Sequence, residues 1–404
     1  MKRSLLIAAL FATGWLGWHV QVFAQQTPYT ILISFDGFRW DYIERGHSPN
    51  LQKLRDEGVG ALSLQPVFPS KTFPNHFTIV TGMYTENHGL LANNFNDPFS
   101  GERYSLRDQQ AVQEARWYLG EAFWETAERQ GIICASYFWP GSEMNLPYRR
   151  STYFHEYQHE RPYEQRVQGV LDWLQLPEAQ RPRFITLYFD IVDGAGHRYG
   201  PEAPETNRAI ARVDSMLGLL IDGLERIGLR EQTNIIVVSD HGMTDIDASR
   251  SVFVDAILGE IESDIEDRGP LMLLTQKNAT VDETYQRLQK SATYYSVYTR
   301  ETMPENFHFS QHPFIPPIVL VADLGWSLTT PEREVRGKGH HGYDHNHLDM
   351  HGIFYASGPS FRTGYRTGTI LNIDIYPLLC AIYGIVPRQN IDGRLERIGF
   401  LMEK

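Results

Sequence analysis

Four short stretches hold side chains that could do chemistry. In "DGAGH", Asp193 and His197 bracket two glycines and a small residue, so an acid and an imidazole four residues apart can reach one cation from a tight loop or a helix start. In "SDHG", Asp240 and His241 are adjacent. Neighbours at a strand end point in different directions, so one is expected to serve each of two metals. The stretch "GKGHHGYDHNHLDMH", residues 337–351, adds His340, His341, His345, His347 and His351. Carboxylate and imidazole donors together favour zinc, with manganese or iron as alternatives. Two such ions could clamp the oxygens of an in-line phosphoryl displacement. The last stretch, "FPSKTFPNHF" at 68–77, sets Thr72 at the start of a helix whose first turn carries Pro74, where the missing N–H costs nothing. Alone, Thr72 would read as a helix cap. With metal donors elsewhere in the chain it reads as a nucleophile, because a nearby metal lowers the pKa of an otherwise poorly reactive hydroxyl.

These residues need elements that bring them together. Apolar strand-like runs recur in "YTILISFDG", "GIICASYF", "RFITLYFD", "NIIVVSDHG" and "HGIFYASG". Between them lie amphipathic helix-like segments such as "SPNLQKLRDEG", "GEAFWETAERQG" and "TNRAIARVDSMLGLLIDGLERIG". This alternation predicts an α/β fold with a mainly parallel central sheet flanked by helices on both faces. Residues from about 250 to 335 lack the pattern and read as a small, irregular inserted lobe. Asp36 ends the first run, Asp190 and Asp193 follow the third, and Asp240 ends the fourth. Ligands of open α/β sheets bind beyond the carboxyl ends of the strands, so these acids are expected to share one crevice.

The first 24 residues, with Lys2 and Arg3, an apolar middle and Val22 and Ala24 before "QQ", read as a secretory signal cleaved after Ala24. A single domain over 25–404, located in the periplasm or secreted, is expected, and no later apolar run reaches the length of a membrane span. Removing the signal's two positive charges takes the net charge from −12 to about −14. That balance argues against gripping a nucleic-acid duplex along its phosphates. It leaves small phosphate compounds open, since metals can supply positive charge. Cys134 and Cys380 are expected as buried free thiols, with a disulfide between them as the alternative.

The motifs "FPSKTFPN", "TGMYTENHGLLANNF", "YFDIVDGAGHRYGP", "SDHGM" and "HGYD…MHGIFYASGPSF", in this order, resemble those of the nucleotide pyrophosphatase/phosphodiesterase family of the alkaline phosphatase superfamily. The resemblance runs from about residue 28 to 395. It implies two zinc ions, one held by Asp193, His197 and His341 and the other by Asp36, Asp240 and His241 with Thr72. His341 is preferred to His340 because it directly precedes "GYD". The resemblance also implies that Asn93, or else Asn94, bonds a phosphate oxygen, that Phe73 and Tyr188 sandwich a nucleobase, and that Asp190 stands behind the ligands. The expected substrates are small nucleotide diesters and anhydrides: nucleoside triphosphates, dinucleotides and nucleotide sugars. The expected enzyme is a monomer releasing a 5′-monophosphate through a phosphothreonine. The stretch "SYFWPGSE" is aromatic and lacks Lys or Arg, which favours diesters over monoesters. The alternatives are a phospholipid or choline-phosphate diesterase and, further off, a phosphomonoesterase.

Overall fold

The computed structural model describes residues 27–333 and 335–403. The secretory signal read at 1–24 lies outside the described residues.

An eight-stranded sheet runs in the order Tyr365–Thr367, Val59–Ala61, Phe354–Ser357, Thr233–Val238, Tyr29–Phe35, Phe184–Phe189, Cys134–Tyr137, Tyr153–His155. It is parallel except for Phe354–Ser357, which runs against both neighbours. The sequence run "HGIFYASG" carries no sign of that reversal, because an apolar run buried on both faces looks the same in either direction.

Period-two alternation sends successive side chains of the central strands to opposite faces. Ile31, Ile33, Ile235 and Val237 pack against the helices Pro49–Glu57, Tyr163–Leu174 and Pro204–Arg226. Leu32, Ile236 and Val238 join the core built with Thr72–Thr81, Phe123–Glu128 and Ile375–Tyr383. Cys134 and Cys380 are both buried and free.

The lobe is more regular than its sequence suggests. Ser263–Glu266, Leu271–Gln276, Ile318–Ala322 and Tyr295–Thr299 form a four-stranded antiparallel sheet with the helix Val281–Lys290. Met272, Leu274, Ile318 and Leu320 close a core of its own. Leu271, Leu273, Val319 and Val321 face the main body and join its core. Prolines and short runs hid these strands, each only four to six residues long. No helix among the described residues is long and apolar enough to cross a membrane.

Candidate active site and metal centre

In-register parallel pairing sets the ends of three adjacent strands level: Ser34 lies opposite Tyr188 on one side and Val238 on the other. Asp36, Asp190 and Asp240 follow within two residues of those ends. Asp193 and His197 lie four apart on the helix Ile191–Tyr199, which puts them on one face. Gly37 allows the close approach of these segments. Its φ is +69°, and a Cβ there would sit 2.8 Å from the Asp193 Cα.

Six donors form two groups, Asp193–His197–His341 and Asp36–Asp240–His241, with the ligand atoms of each within 4.8 Å of one another. Asp240 and His241 therefore belong to the same group, not one to each metal as adjacency suggested. Both follow the strand end in an irregular segment, where strand alternation no longer separates neighbours. His340, His345, His347 and His351 belong to neither group. His340 lies beside His197, its ring centroid 5.1 Å away, while the His345 ring packs near Phe68 and Phe307.

Hydrogen bonding identifies what these groups can hold. The Nδ1 of His197 lies 2.9 Å from the Gly339 carbonyl, that of His241 2.8 Å from the Gly242 carbonyl, and that of His341 2.8 Å from the Ser70 carbonyl. A carbonyl only accepts, so each Nδ1 carries the proton. When such a ring is neutral, its Nε2 lone pair faces the carboxylates. Asp36 Oδ1, Asp193 Oδ1 and Asp240 Oδ2 are buried and have no hydrogen-bond partner. His241 Nε2 lies 3.0 Å from Asp240 Oδ2 and 3.4 Å from Asp36 Oδ1, and the His241 and His341 rings stack 3.4 Å apart. Converging carboxylate oxygens and imidazole nitrogens need positive charge between them, which a cation supplies, or in its absence a proton on His241, whose affinity for it, against burial, Asp240 raises. The donor set fits divalent cations.

The titration behaviour has the same cause. Burial, reinforced by Asp240 and Asp193, pushes the Asp36 carboxyl well up. Burial acts in that direction on Asp240 too, yet His241 and His76 hold it well below the usual carboxylate range. Burial and the neighbouring imidazoles push His341 far down, leaving it neutral and able to ligate.

Thr72 is the first residue of the helix Thr72–Thr81, and the cap position is Lys71. The Thr72 hydroxyl is thus free of capping and lies 3.2 Å from His241 Nε2. Asn75 ties the preceding loop to the helix: its amide nitrogen donates to the Pro69 and Lys71 carbonyls at 2.9 and 3.0 Å, and its Oδ1 accepts from the Val67 N–H. Asn93 Oδ1 accepts from the Phe73 N–H at 3.2 Å, and its Nδ2 has no partner among the described residues. Asn94 instead takes the Ser105 hydroxyl within a hairpin. Phe73 is half-buried beside Tyr104. Tyr188 is buried, and its hydroxyl donates to Asp36 Oδ2 at 2.5 Å. Asp190 is held by Arg166, Tyr163 and His159, outside both donor groups. Phe138 and Trp139 of "SYFWPGSE" are core residues, and Trp139 donates to the His76 carbonyl.

Three contributors escaped the sequence reading. His76, fully buried, lies 2.9 Å from the Thr72 carbonyl, 3.3 Å from Asp240 Oδ2 and 2.7 Å from the Ser34 hydroxyl, bracing the helix Thr72–Thr81, Asp240 and the strand together. Its i+4 spacing from Thr72 was the available signal. Tyr157, 39% exposed, meets the Tyr188 ring edge-on at 6.1 Å. Lys71 is buried beside Thr72 and paired with Asp267 of the lobe at 3.0 Å.

Residues 30–344 match the family described as type I phosphodiesterase / nucleotide pyrophosphatase. The chain is 35% identical over 380 residues to rat ectonucleotide pyrophosphatase/phosphodiesterase family member 1, covering 90% of this chain and 42% of the relative. It thus spans about two fifths of that relative's length. It is 35% identical to human bis(5′-adenosyl)-triphosphatase ENPP4 over 391 residues, covering 96% of this chain and 85% of that one. Murine ectonucleotide pyrophosphatase/phosphodiesterase 5 superposes with a TM-score of 0.89 at 32% identity, covering 93% of this chain and all of the other. An inactive threonine-to-alanine variant of that murine protein, in complex with AMP, superposes equally well. The chain belongs to the type I phosphodiesterase / nucleotide pyrophosphatase family.

Proposed function

We propose that this protein is an exported, monomeric two-zinc phosphodiesterase and pyrophosphatase that cleaves small nucleotide diesters and anhydrides to a nucleoside 5′-monophosphate. The observation that carries the reading is the Thr72 hydroxyl at 3.2 Å from His241 Nε2, inside a cluster of partnerless carboxylate oxygens and Nδ1-protonated imidazoles. Asp36, Asp240 and His241 would hold one ion near Thr72, and Asp193, His197 and His341 the other. Bound there, the ions would lower the pKa of the Thr72 hydroxyl and offset charge on the attacking and leaving oxygens.

Thr72 Oγ attacks phosphorus in line, forming a phosphothreonine ester as the bond to the leaving oxygen breaks. The Asn93 amide donates through Nδ2 to a non-bridging oxygen, its Oδ1 being anchored by the Phe73 N–H. His76 fixes the helix start through the Thr72 carbonyl. Water then attacks the ester from the vacated side, returning Thr72 and releasing the monophosphate. Phe73 supplies one aromatic wall for the base. The Tyr188–Tyr157 pair supplies the other, with Tyr157 as its accessible ring. A relative named a bis(5′-adenosyl)-triphosphatase and a neighbour in complex with AMP agree with nucleotide substrates and a 5′-monophosphate product.

The test compares the zinc-loaded protein on the p-nitrophenyl ester of thymidine 5′-monophosphate and on p-nitrophenyl phosphate. The diester should be strongly preferred, and Thr72→Ala should lose at least about 1000-fold in kcat. A preference for the monoester, or an active Thr72→Ala, would overturn the proposal.

A further inference from the structure

The inserted lobe reaches the site through one turn. Residues 267–270 join the lobe strands Ser263–Glu266 and Leu271–Gln276. Asp267 Oδ2 lies 3.0 Å from the Lys71 ammonium, with both side chains buried. The contact is one of charge and not an aligned hydrogen bond, since Oδ2 lacks a hydrogen-bond partner. A Cβ on Gly269 would lie 2.9 Å from His340 Nε2, so the turn abuts the residue before the donor His341. A Cβ on Gly342 would lie 2.6 Å from the Lys71 Cε, so Lys71 fills the space on the other side of that donor. Glu266 accepts from the Asn96 N–H at 2.7 Å, fastening the turn to the hairpin that follows Asn93. Asp267 itself sits at φ +53°, a left-handed conformation that Asp and Asn tolerate better than other side chains.

An in-line attack by Thr72, which lies against the His241 group, sends the leaving group toward the group containing His341. Lys71 and the lobe turn flank that second group. Resting on the phosphodiesterase reading, we infer that this turn sets the enzyme's preference for the charge of the leaving group, with Asp267 as the specificity-determining residue. Paired to Asp267, Lys71 offers a polyanionic leaving group such as pyrophosphate little net attraction. Arg268, next in the turn, has a buried Nε without a partner and stands near Arg333 and Arg103. Cations are therefore at hand; Glu332 also lies near Arg268, and Asp267 is the carboxylate paired with Lys71.

Asp267→Asn keeps the shape and the left-handed backbone while removing the charge. The readout is the ratio of kcat/KM for ATP, which expels pyrophosphate, to kcat/KM for the p-nitrophenyl ester of thymidine 5′-monophosphate, whose leaving group carries a single charge. Because an uncompensated Lys71 attracts the more highly charged leaving group across a partly buried distance, the ratio should rise about five- to tenfold, chiefly through KM for ATP. The rise should shrink with added salt. In the double variant Lys71→Met/Asp267→Asn the rise should disappear. A folded Asp267→Asn with an unmoved or lowered ratio would overturn the inference, as would a rise that survives Lys71→Met. In either case a wild type that still hydrolyses the ester keeps the broader reading intact. A wild type inert toward both substrates would sink the two together.

Discussion

At Asp36 one phenol decides how a carboxylate is presented. Tyr188 donates to Oδ2, which leaves Oδ1 as the partnerless oxygen facing His241. Partners of this kind commonly change metal affinity by about 10- to 100-fold when removed. Tyr188→Phe keeps the ring and deletes the donor. Competition with a chelator should show metal at the Asp36 group held at least about tenfold more weakly. An unchanged metal affinity with a raised nucleotide KM would instead make Tyr188 a base-stacking ring, the role implied by family resemblance. The six clustered acids and imidazoles could be singled out from sequence, because Asp and His advertise their chemistry and their motifs are compact, although their division into two groups came from the family resemblance and not from adjacency. The Tyr188 hydroxyl could not, since its target depends on strand register. Lys71 lay inside the nucleophile motif, but its partner is nearly 200 residues away in a lobe whose placement no local pattern encodes.

At the scale of elements, the site depends on how closely strand ends and loops approach. The two central strands ending before Asp36 and Asp190 could be read from continuous apolar runs and acidic ends, while the stretch after the latter could be read only as a tight loop or a helix start. The reversed direction of the strand Phe354–Ser357 and the four lobe strands could not, because strand direction and pairing come from tertiary contacts. Gly37 offers a test of the approach. Both Gly37 and Gly46 have left-handed φ, +69° and +75°, yet a Cβ at Gly46 meets nothing within 4 Å while one at Gly37 meets Asp193. Gly46→Ala should cost about 1 kcal/mol of stability and leave the metal content unchanged. Gly37→Ala should cost about 1–3 kcal/mol more through the steric shift. It should also lower the metal content after gel filtration, measured by elemental analysis alongside thermal unfolding. Equal behaviour of the two variants would contradict the proposed role of the close approach.

For the molecule as a whole, buried neutral histidines set the acid limit. Burial lowers His88 to about 3 and His312, His345 and His351 each to about 4, against roughly 6.5 in an unfolded chain. Each folded-state value is depressed, so the unfolded chain binds more protons below pH 6.5. The stability these residues contribute is whole above that pH and is lost as pH falls through 6.5 toward the folded values. Each histidine kept neutral in the fold while charged in the unfolded chain adds a slope approaching about 1.4 kcal/mol per pH unit in that window. His88 isolates this effect from metal loss, because it belongs to neither donor group. Its Nδ1 accepts from the Leu90 N–H at 3.2 Å, so Nε2 carries the proton and donates to the Thr78 hydroxyl at 2.9 Å. His88→Gln can reproduce an acceptor and a donor without titrating. Chemical denaturation of the metal-free protein between pH 6.5 and 4.5 should therefore show a stability slope shallower by up to about one proton in the variant, whatever its absolute stability. Parallel slopes would mean that the charging of His88 does not limit the fold in acid.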